Sequence, residues 1–363
     1  MTDSTTNAAP AGELAERVLA SAVATIDLLS IALGDSLGYY RLLVRRPLTS
    51  PQLAEASGTD ERYAREWLEQ QAVTGLLNVA DPTAAPRERR YSPVDGVTEV
   101  LCDGTSLDFL APLARQLAAA GRQLPALATA YRTGGGVPWS QFGADMRESE
   151  ADLNRPGFER LLVDDWLGTL PDVRSRLAGA QPARVADIGC GAGWSAIALA
   201  RGFPTIVVDG FDLDAESVEL ARRNVADAGM ADRIRMHCAD IATMRTDLRY
   251  DLVTALECLH DLPFPVESLA AMRGLAGAGG TVLVADMKVA DAFEAPGDDV
   301  ERLMYGFSLF VCLADSKSTP GSAATGTVLR RPTVERWARE AGYGRCTTLS
   351  VSHDLWRFYR LDP

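Results

Sequence analysis

The stretch RVADIGCGAGWSAIALA, residues 184–200, decides how this chain folds. A short apolar run from Arg184 to Ile188 enters a turn carrying Gly189, Gly191 and Gly193, and an Ala/Ile/Leu stretch leaves it. The pattern predicts a strand, a tight loop and a helix. A loop stripped of side chains lets a ligand approach the backbone, and phosphate cradles, dinucleotide folds and other adenosyl-ligand sites all use this shape. The glycines alone leave the ligand open.

Working outward, apolar runs at Arg184–Ile188, Thr205–Phe211, Arg233–Cys238, Asp251–Leu256 and Thr281–Asp286 read as strands, with helical stretches after the first, second and fourth. Such alternation predicts a mostly parallel sheet covered on both faces. Residues 332–361 add a helix, Pro332–Gly342, and two strands that close the sheet with an antiparallel edge. The ligand is expected off the carboxyl ends of the strands.

The frame of the loop narrows the ligand. Dinucleotide sites use G-x-G-x-x-G, whereas here the frame is G-x-G-x-G with Trp194 where the third fingerprint glycine would stand. No Lys follows the loop, which excludes a P-loop. Asp187 precedes the loop, and a carboxylate there would repel a pyrophosphate by on the order of several kcal/mol while attracting an ammonium or a sulfonium. Asp212, followed by Leu213, ends the second strand, where a carboxylate accepts both hydroxyls of a ribose. Asp240 follows the third strand, placed to accept from an exocyclic adenine amine while Ile241 covers the ring. Each acid alone is more often a cap or a solvated loop residue; three, each just past its own strand end, point to a cationic adenosyl ligand.

The 363 residues are 47% hydrophobic and 23% charged, with a formal net charge of −13. That balance suits a globular protein of two domains and disfavours adhesion to nucleic acid or anionic lipid. No apolar run is read as a bilayer span, and residues 1–12 lack the features of a signal peptide, so a cytoplasmic protein without a membrane partner is expected. The six cysteines are scattered without a C-x-x-C pair, so reduced thiols are the default.

Residues 1–12 are expected to be disordered. From Glu13 to Leu43 helical spacing predicts one long helix and a short one, weakened at Gly34 and Gly38. Ser50 followed by Pro51 starts one helix, and Thr59 or Asp60 caps another that runs to about Thr74. Gly75–Val79 and Arg90–Pro93 then read as the two strands of a wing. Between Asp60 and Gly75 four acids face two bases, a balance that repels phosphate. Residues 13–100 are therefore read as a winged-helix-like dimerisation or lid domain, making a homodimer, with no nucleic-acid partner. Residues 101–180 read as a helical linker and substrate-pocket region, broken at Thr133–Trp139; Trp139 and Phe142 beyond the break are candidates for lining a pocket.

Residues 181–363 resemble the class I S-adenosylmethionine-dependent methyltransferases. The motifs D-I-G-C-G-A-G, G-F-D-L-D, C-A-D-I, Tyr250-Asp-Leu-Val and Gly279-Gly-Thr-Val-Leu-Val stand in that family's order and spacing. The stretches ALGDSLGYYRLL, LTSPQLAEASGTDERYAREWLEQQAVTGLL, GGGVPWSQFG and Asn154–Phe158 resemble an actinobacterial-type subgroup with an N-terminal winged-helix-like domain and a helical insertion, here about 296–316. The resemblance implies an α/β, Rossmann-like seven-stranded sheet behind a mostly helical winged-helix-like domain. It also implies S-adenosylmethionine as cofactor and S-adenosylhomocysteine as product, with the three glycines at the methionyl part, Asp212 on the ribose and Asp240 on adenine.

Methyl transfer from a sulfonium needs alignment and exclusion of water, and a base only where the acceptor must lose a proton. His260, in Glu257-Cys-Leu-His-Asp261 after the fourth strand, is the candidate base, with an imidazole near its ordinary pKa. Glu257 is placed to meet the donor's ammonium or His260. His237 is expected to be structural or near the purine, and His353 has no role. Tyr305 and Ser308, in the insertion, are candidate pocket residues beside Trp139 and Phe142. No metal is expected: metal-dependent transfer would need several carboxylates or histidines clustered near His260, and of the two acids available in sequence, Asp261 and Asp286, the second reads as the end of the fifth strand. The function expected is methylation of a small-molecule acceptor, an oxygen nucleophile or else carbon or nitrogen, in secondary metabolism. The alternatives are a cofactor-sensing winged-helix regulator, and an enzyme that uses the sulfonium only to polarise its substrate.

Overall fold

The computed structural model describes residues 8–244 and 246–362. The chain divides into two compact units after Ala118. Residues 119–180, read from sequence as a linker and pocket region, thus belong to the unit that contains the sheet.

In the first unit, α1 (Ala8–Ser36) and α2 (Tyr39–Leu43) are followed by α3 (Ser50–Ser57), α4 (Glu61–Thr74), an antiparallel pair β1 (Leu77–Val79) and β2 (Tyr91–Pro93), and α5 (Val97–Leu101). The expected wing is present. Thr49, not Ser50, caps α3: it forms a reciprocal capping box with Gln52, so that Ser50 and Pro51 are the first helical residues. Asp60 caps α4, accepting from the N–H groups of Arg62 and Tyr63. The core of this unit gathers Tyr39, Tyr40, Leu53, Trp67, Leu68, Leu77 and Tyr91.

Helix α1 corrects two expectations. It starts at Ala8, so the predicted disorder does not extend to residue 12, and residues 1–7 lie outside the described residues. Residues Pro10–Ser36 also meet the length and composition of a membrane span, because few charges interrupt a helix built from Ala, Leu, Val and Ile. Its carboxyl half is tied to α4: Asp27 accepts from Gln70 and Thr74, both at 3.1 Å, and the Trp67 indole donates to the Ser30 carbonyl at 2.9 Å.

The division after Ala118 falls inside α6 (Ala111–Arg122). The second unit continues with α7 (Leu124–Thr133), α8 (Gly143–Leu161) and α9 (Pro171–Leu177) before the sheet begins. There, β3 (Arg184–Ile188), α10 (Trp194–Gly202), β4 (Val207–Asp212), α11 (Ala215–Asp227), β5 (Ile234–Cys238), β6 (Leu252–Leu256), α12 (Pro265–Ala276) and β7 (Thr281–Met287) alternate as predicted. The insertion α13 (Asp299–Phe307) widens into a π-turn at Ser308–Cys312 and ends in α14 (Leu313–Ser316). Helix α15 (Arg331–Glu340) and strands β8 (Arg345–Thr348) and β9 (Trp356–Asp362) complete the chain.

The seven strands run in the order β5-β4-β3-β6-β7-β9-β8, parallel from β5 to β7 and antiparallel at β9 and β8. Every residue of β6 and β7 is buried, as a sheet with both faces covered requires. One face packs on Ile197 and Leu199 of α10, Val218 of α11 and Trp166; the other packs on Leu269 and Met272 of α12 and Trp337 of α15. The chain reverses direction in the sheet between β3 and β6, and the crevice above that point is where the glycine loop opens.

Candidate functional site

The loop between β3 and α10 is shaped by its glycines. Gly189 has φ +63°, and a Cβ there would come within 2.6 Å of the Cys258 Cβ, so no side chain fits. Gly191 has φ +48° with nothing within 4 Å of its Cβ position, so its backbone faces open space. Asp187, at the end of β3, is 1% exposed and accepts hydrogen bonds from the hydroxyls of Ser195 and Thr254. Burial pushes its carboxyl up to about 6, against those two hydroxyls, which favour the anion.

Asp212, at the end of β4, accepts the Gly191 N–H on one oxygen at 2.8 Å and the Asp214 N–H on the other at 2.9 Å. Each oxygen keeps a lone pair, which suits the two hydroxyls of a ribose. Leu213 beside it is 51% exposed. Asp240 folds back on the Ala242 N–H at 2.9 Å, and Ile241 is buried against the core. These residues lie on the β5 side of the loop. His237 stacks on Phe211 and meets Asp209 at 3.1 Å, a structural position.

Helix α8 closes the β6 side, a contribution the sequence reading missed. Arg147, Glu150, Ala151, Asn154 and Phe158 share one face at helical spacing and line the pocket with Trp139, Asp187, Gly189, Gly191, Trp194 and Glu257. That run of polar residues at i, i+3 and i+7 was visible in the sequence, although nothing there placed it over the glycines. Asn154 donates to Glu150 at 3.0 Å and to Glu257. Burial raises both carboxyls, helped by the charge of Asp261 at Glu150 and by that of Glu150 at Glu257, against the Asn154 amide, which favours the anion of each. Glu257 is held at φ +59°, a conformation that costs a non-glycine residue on the order of 1–3 kcal/mol and that turns its carboxylate into the pocket. Among the described residues the one basic side chain lining the pocket, Arg147, is engaged by Asp214 at 2.8 Å and by Glu216.

The candidate pocket aromatics part company. Trp139 lines the pocket, whereas Phe142, 1% exposed, packs into the core with Met146 and Val311 because its short 3-10 turn points it inward. Tyr305 is 36% exposed with its hydroxyl 3.2 Å from Arg330, and Ser308 is buried.

His260 lies in the loop after β6 and is 2% exposed. Its Nδ1 is 3.0 Å from Asp286 Oδ1, and its Nε2 is 3.3 Å from Asp261 Oδ2. Asp286 is anchored in turn by the N–H groups of His260 at 3.1 Å and Met287 at 2.8 Å. It is therefore more than the end of a strand. Burial opposes charge on this imidazole, but the two carboxylates outweigh it and hold the group well above its ordinary value. The expectation of a near-ordinary imidazole is corrected accordingly. Glu257 hydrogen-bonds with Asn154 instead of pairing with His260.

Known proteins share this architecture. Residues 181–320 match a family model described as a methyltransferase domain, and residues 24–87 match an Rv2258c-like winged HTH domain. A ubiquinone biosynthesis O-methyltransferase from Paracidovorax citrulli is 34% identical over 107 residues, 29% of this chain and 44% of that protein. The chain thus aligns with less than half the length of such curated relatives. Among solved structures, an O-methyltransferase family protein from Burkholderia thailandensis superposes with TM-score 0.66 at 17% identity, covering 99% and 98% of the two chains. Human N-acetylserotonin methyltransferase in complex with SAM superposes with TM-score 0.64 at 18% identity, covering 99% of each.

Proposed function

We propose that this chain, which belongs to the class I S-adenosylmethionine-dependent methyltransferases with an N-terminal winged helix, methylates an oxygen of a small-molecule secondary metabolite. The observation that carries the reading is a glycine-walled pocket lined by Asp187, Glu150 and Glu257, whose one arginine is already held by other acids. Such a lining favours a cation and repels a pyrophosphate. The pocket's chemistry fits the donor: Gly191 leaves its backbone open, Asp212 keeps lone pairs for a ribose, and the acids of β3, α8 and the β6 loop surround the place of the methionyl group.

The donor supplies an electrophilic methyl group. The chain aligns it through Asp212 and the glycines, with Leu213, Asp240 and Ile241 on the adenine side, and α8 keeps water out. His260 takes the proton of the acceptor hydroxyl on Nε2, while Asp286 holds Nδ1 and stabilises the imidazolium that results. Because the two carboxylates already favour the charged ring, the base is the minor form near neutrality and its share grows as pH rises. Trp139, Tyr305 and Ser308 are proposed to contact the acceptor. A nitrogen acceptor fits the same geometry but needs the base less, since a neutral amine attacks through its own lone pair, whereas a carbon acceptor such as an enol must give up a proton as a hydroxyl does.

Transfer of labelled methyl from S-adenosylmethionine to a panel of phenols and hydroxylated polyketides tests the reading. A methyl ether and one equivalent of S-adenosylhomocysteine are expected; donor binding without transfer to any oxygen, nitrogen or carbon acceptor would favour polarisation by the sulfonium instead.

A cytoplasmic homodimer through α1 belongs to the same proposal. Leu14, Val18, Val23, Ile26, Leu29 and Leu33 are each at least 45% exposed on a helix about 43 Å long, a face long enough to bury the area of a stable dimer against a second copy. Val23→Asp is expected to shift the chain from dimer to monomer in analytical ultracentrifugation; a monomeric wild type contradicts the assembly. The four acids and two bases of residues 60–75 argue against a nucleic-acid partner.

A further inference from the structure

We propose that Asp315 is a positioning residue for a planar aromatic acceptor: it pins the glycine-rich strap of residues 134–138 to α14 and so fixes the Trp139 indole in the pocket wall. The proposal rests on the methyl-transfer reading for what the pocket binds, and on the contacts of the strap for everything else.

The strap leaves α7 at Thr133 and carries three successive glycines before Val137-Pro-Trp139. Such a run gains little from side-chain packing and loses much backbone freedom on ordering, so its place depends on what holds its backbone. Contacts to α14 and the turn after it do so at three points, all within the second unit. Gly136 lies so close that a Cβ there would come within 2.1 Å of the Ser318 nitrogen and 2.3 Å of the Ala314 carbonyl oxygen. The Val137 N–H donates to that same carbonyl at 2.9 Å, satisfying a group that the end of a helix leaves open. The Trp139 N–H donates to Asp315 Oδ1 at 2.7 Å, across 176 residues of sequence.

Asp315 takes no part in the proposed proton transfer. Burial pushes its carboxyl up to about 6, helped by the charges of Asp261 and Asp214, against the Trp139 N–H, which favours the anion. Near neutrality it is thus the charged acceptor of a short bond, which is stronger than one between neutral groups. Trp139, Phe158 and Trp194 all line the pocket. Phe158 packs against Trp166 and Trp356, and Trp194 carries the Arg155 guanidinium 3.9 Å from its ring centre. Trp139 is partly buried against Phe142, Met146 and Val311, and its own backbone anchor decides where the indole stands. A flat ring held in this way offers a stacking surface to a flat acceptor. Without the anchor the indole stands correctly in only a fraction of molecules, and the acceptor's apparent dissociation constant rises by the inverse of that fraction. Loss of a hydrogen bond to a charged group corresponds to about 10–100-fold.

The test uses fluorine NMR of the full chain with fluorotryptophan at its six tryptophans, the Trp139 line being assigned by its loss in Trp139→Phe. One sharp Trp139 line is expected in the wild type and in Asp315→Asn, whose amide oxygen still accepts. Asp315→Ala should broaden or split it, and Gly136→Ala, which cannot keep the strap on α14, should do the same. With naphthol as the planar probe and S-adenosylhomocysteine present, the wild-type line should move on titration. The naphthol dissociation constant should rise about 10–100-fold in Asp315→Ala and stay within about 3-fold of wild type in Asp315→Asn, with S-adenosylhomocysteine affinity unchanged in both. A Trp139 line indifferent to Asp315→Ala, a wild-type line that naphthol does not move, or equal weakening of naphthol and S-adenosylhomocysteine overturns the inference. Thermal melts show whether each variant is folded, and Gly136→Ala decides if Asp315→Ala is not. Failure of S-adenosylhomocysteine to bind the wild type would instead overturn the methyl-transfer reading, leaving the Trp139 line to decide the anchor.

Discussion

The two sides of the crevice hold their acids in different ways. Around the glycine loop, Asp187 leans on two hydroxyls and Asp212 on two backbone amides, while the amide of Asn154 donates to Glu150 and Glu257. Around His260, Asp261 and Asp286 face an imidazole at 3.3 and 3.0 Å. Hydroxyls and amides steady a carboxylate without cancelling its charge, so the first side is built to receive a cation. An imidazole between two carboxylates is built to hold a proton. In the proposed reaction, donor and acceptor chemistry are thereby divided between these two groups of acids.

The most forceful way to break this division is His260→Ala. In this variant kcat should fall by about 10²–10⁴-fold with donor affinity unchanged. A variant within a few-fold of wild type, measured by steady-state kinetics and donor titration together, would remove the base from the second side. The same division sets the pH profile: with the imidazole held above its ordinary value, the wild-type rate should climb with pH beyond neutrality, and a profile levelling near the free-histidine pKa of roughly 6.5 would contradict it.

Gly189→Ala tests the wall between the sides. The added Cβ meets Cys258 at 2.6 Å in a left-handed backbone, so unfolding by denaturant should show a loss of about 2–5 kcal/mol. Asp212→Ala sharpens the donor side alone: donor affinity should drop about 10–100-fold, as loss of hydrogen bonds to a charged acceptor implies, with little change in kcat at saturation. Equal losses in both parameters would place Asp212 in the transition state instead.

The smallest effect concerns Asp187. Its carboxyl is raised from 3.8 to about 6 in the native protein, so the native state binds more protons than the unfolded chain in that window. The group's contribution to stability is therefore full below pH 3.8 and is lost as pH rises through about 6, by on the order of 3 kcal/mol. A cationic donor relieves that loss. The gain in melting temperature on adding S-adenosylmethionine should be a few degrees larger at pH 7 than at pH 5; an equal gain at both would show that Asp187 does not sense the donor's charge.

The donor side was legible because its parts are local. A strand, a turn without side chains and an acid at each strand end leave marks that survive in one dimension, and β3 through β7 appear within about two residues of where periodicity put them. The helix cap at Thr49 was misplaced by one residue, since Thr49 and Ser50 are both competent caps and only the reciprocal bond with Gln52 decides between them. The acceptor side was mostly illegible. Asp286 reaches His260 from a neighbouring strand and Cys312 from an insertion, and on the donor side Glu150 and Asn154 come from a helix preceding the sheet, so their proximity is a product of topology. Phe142 looked like Trp139 in sequence, yet one 3-10 turn separates a core ring from a pocket ring.

In the proposed reaction the glycine loop ringed by Asp187, Glu150 and Glu257 takes a cationic adenosyl donor. Isothermal titration of the purified, ligand-stripped chain with S-adenosylmethionine, in buffers of differing ionisation enthalpy, tests it most directly. Saturable binding of one donor per chain, with protons released as the carboxyls ionise around it, is the predicted result. Heat from a nicotinamide dinucleotide and none from the donor or its demethylated product would contradict it.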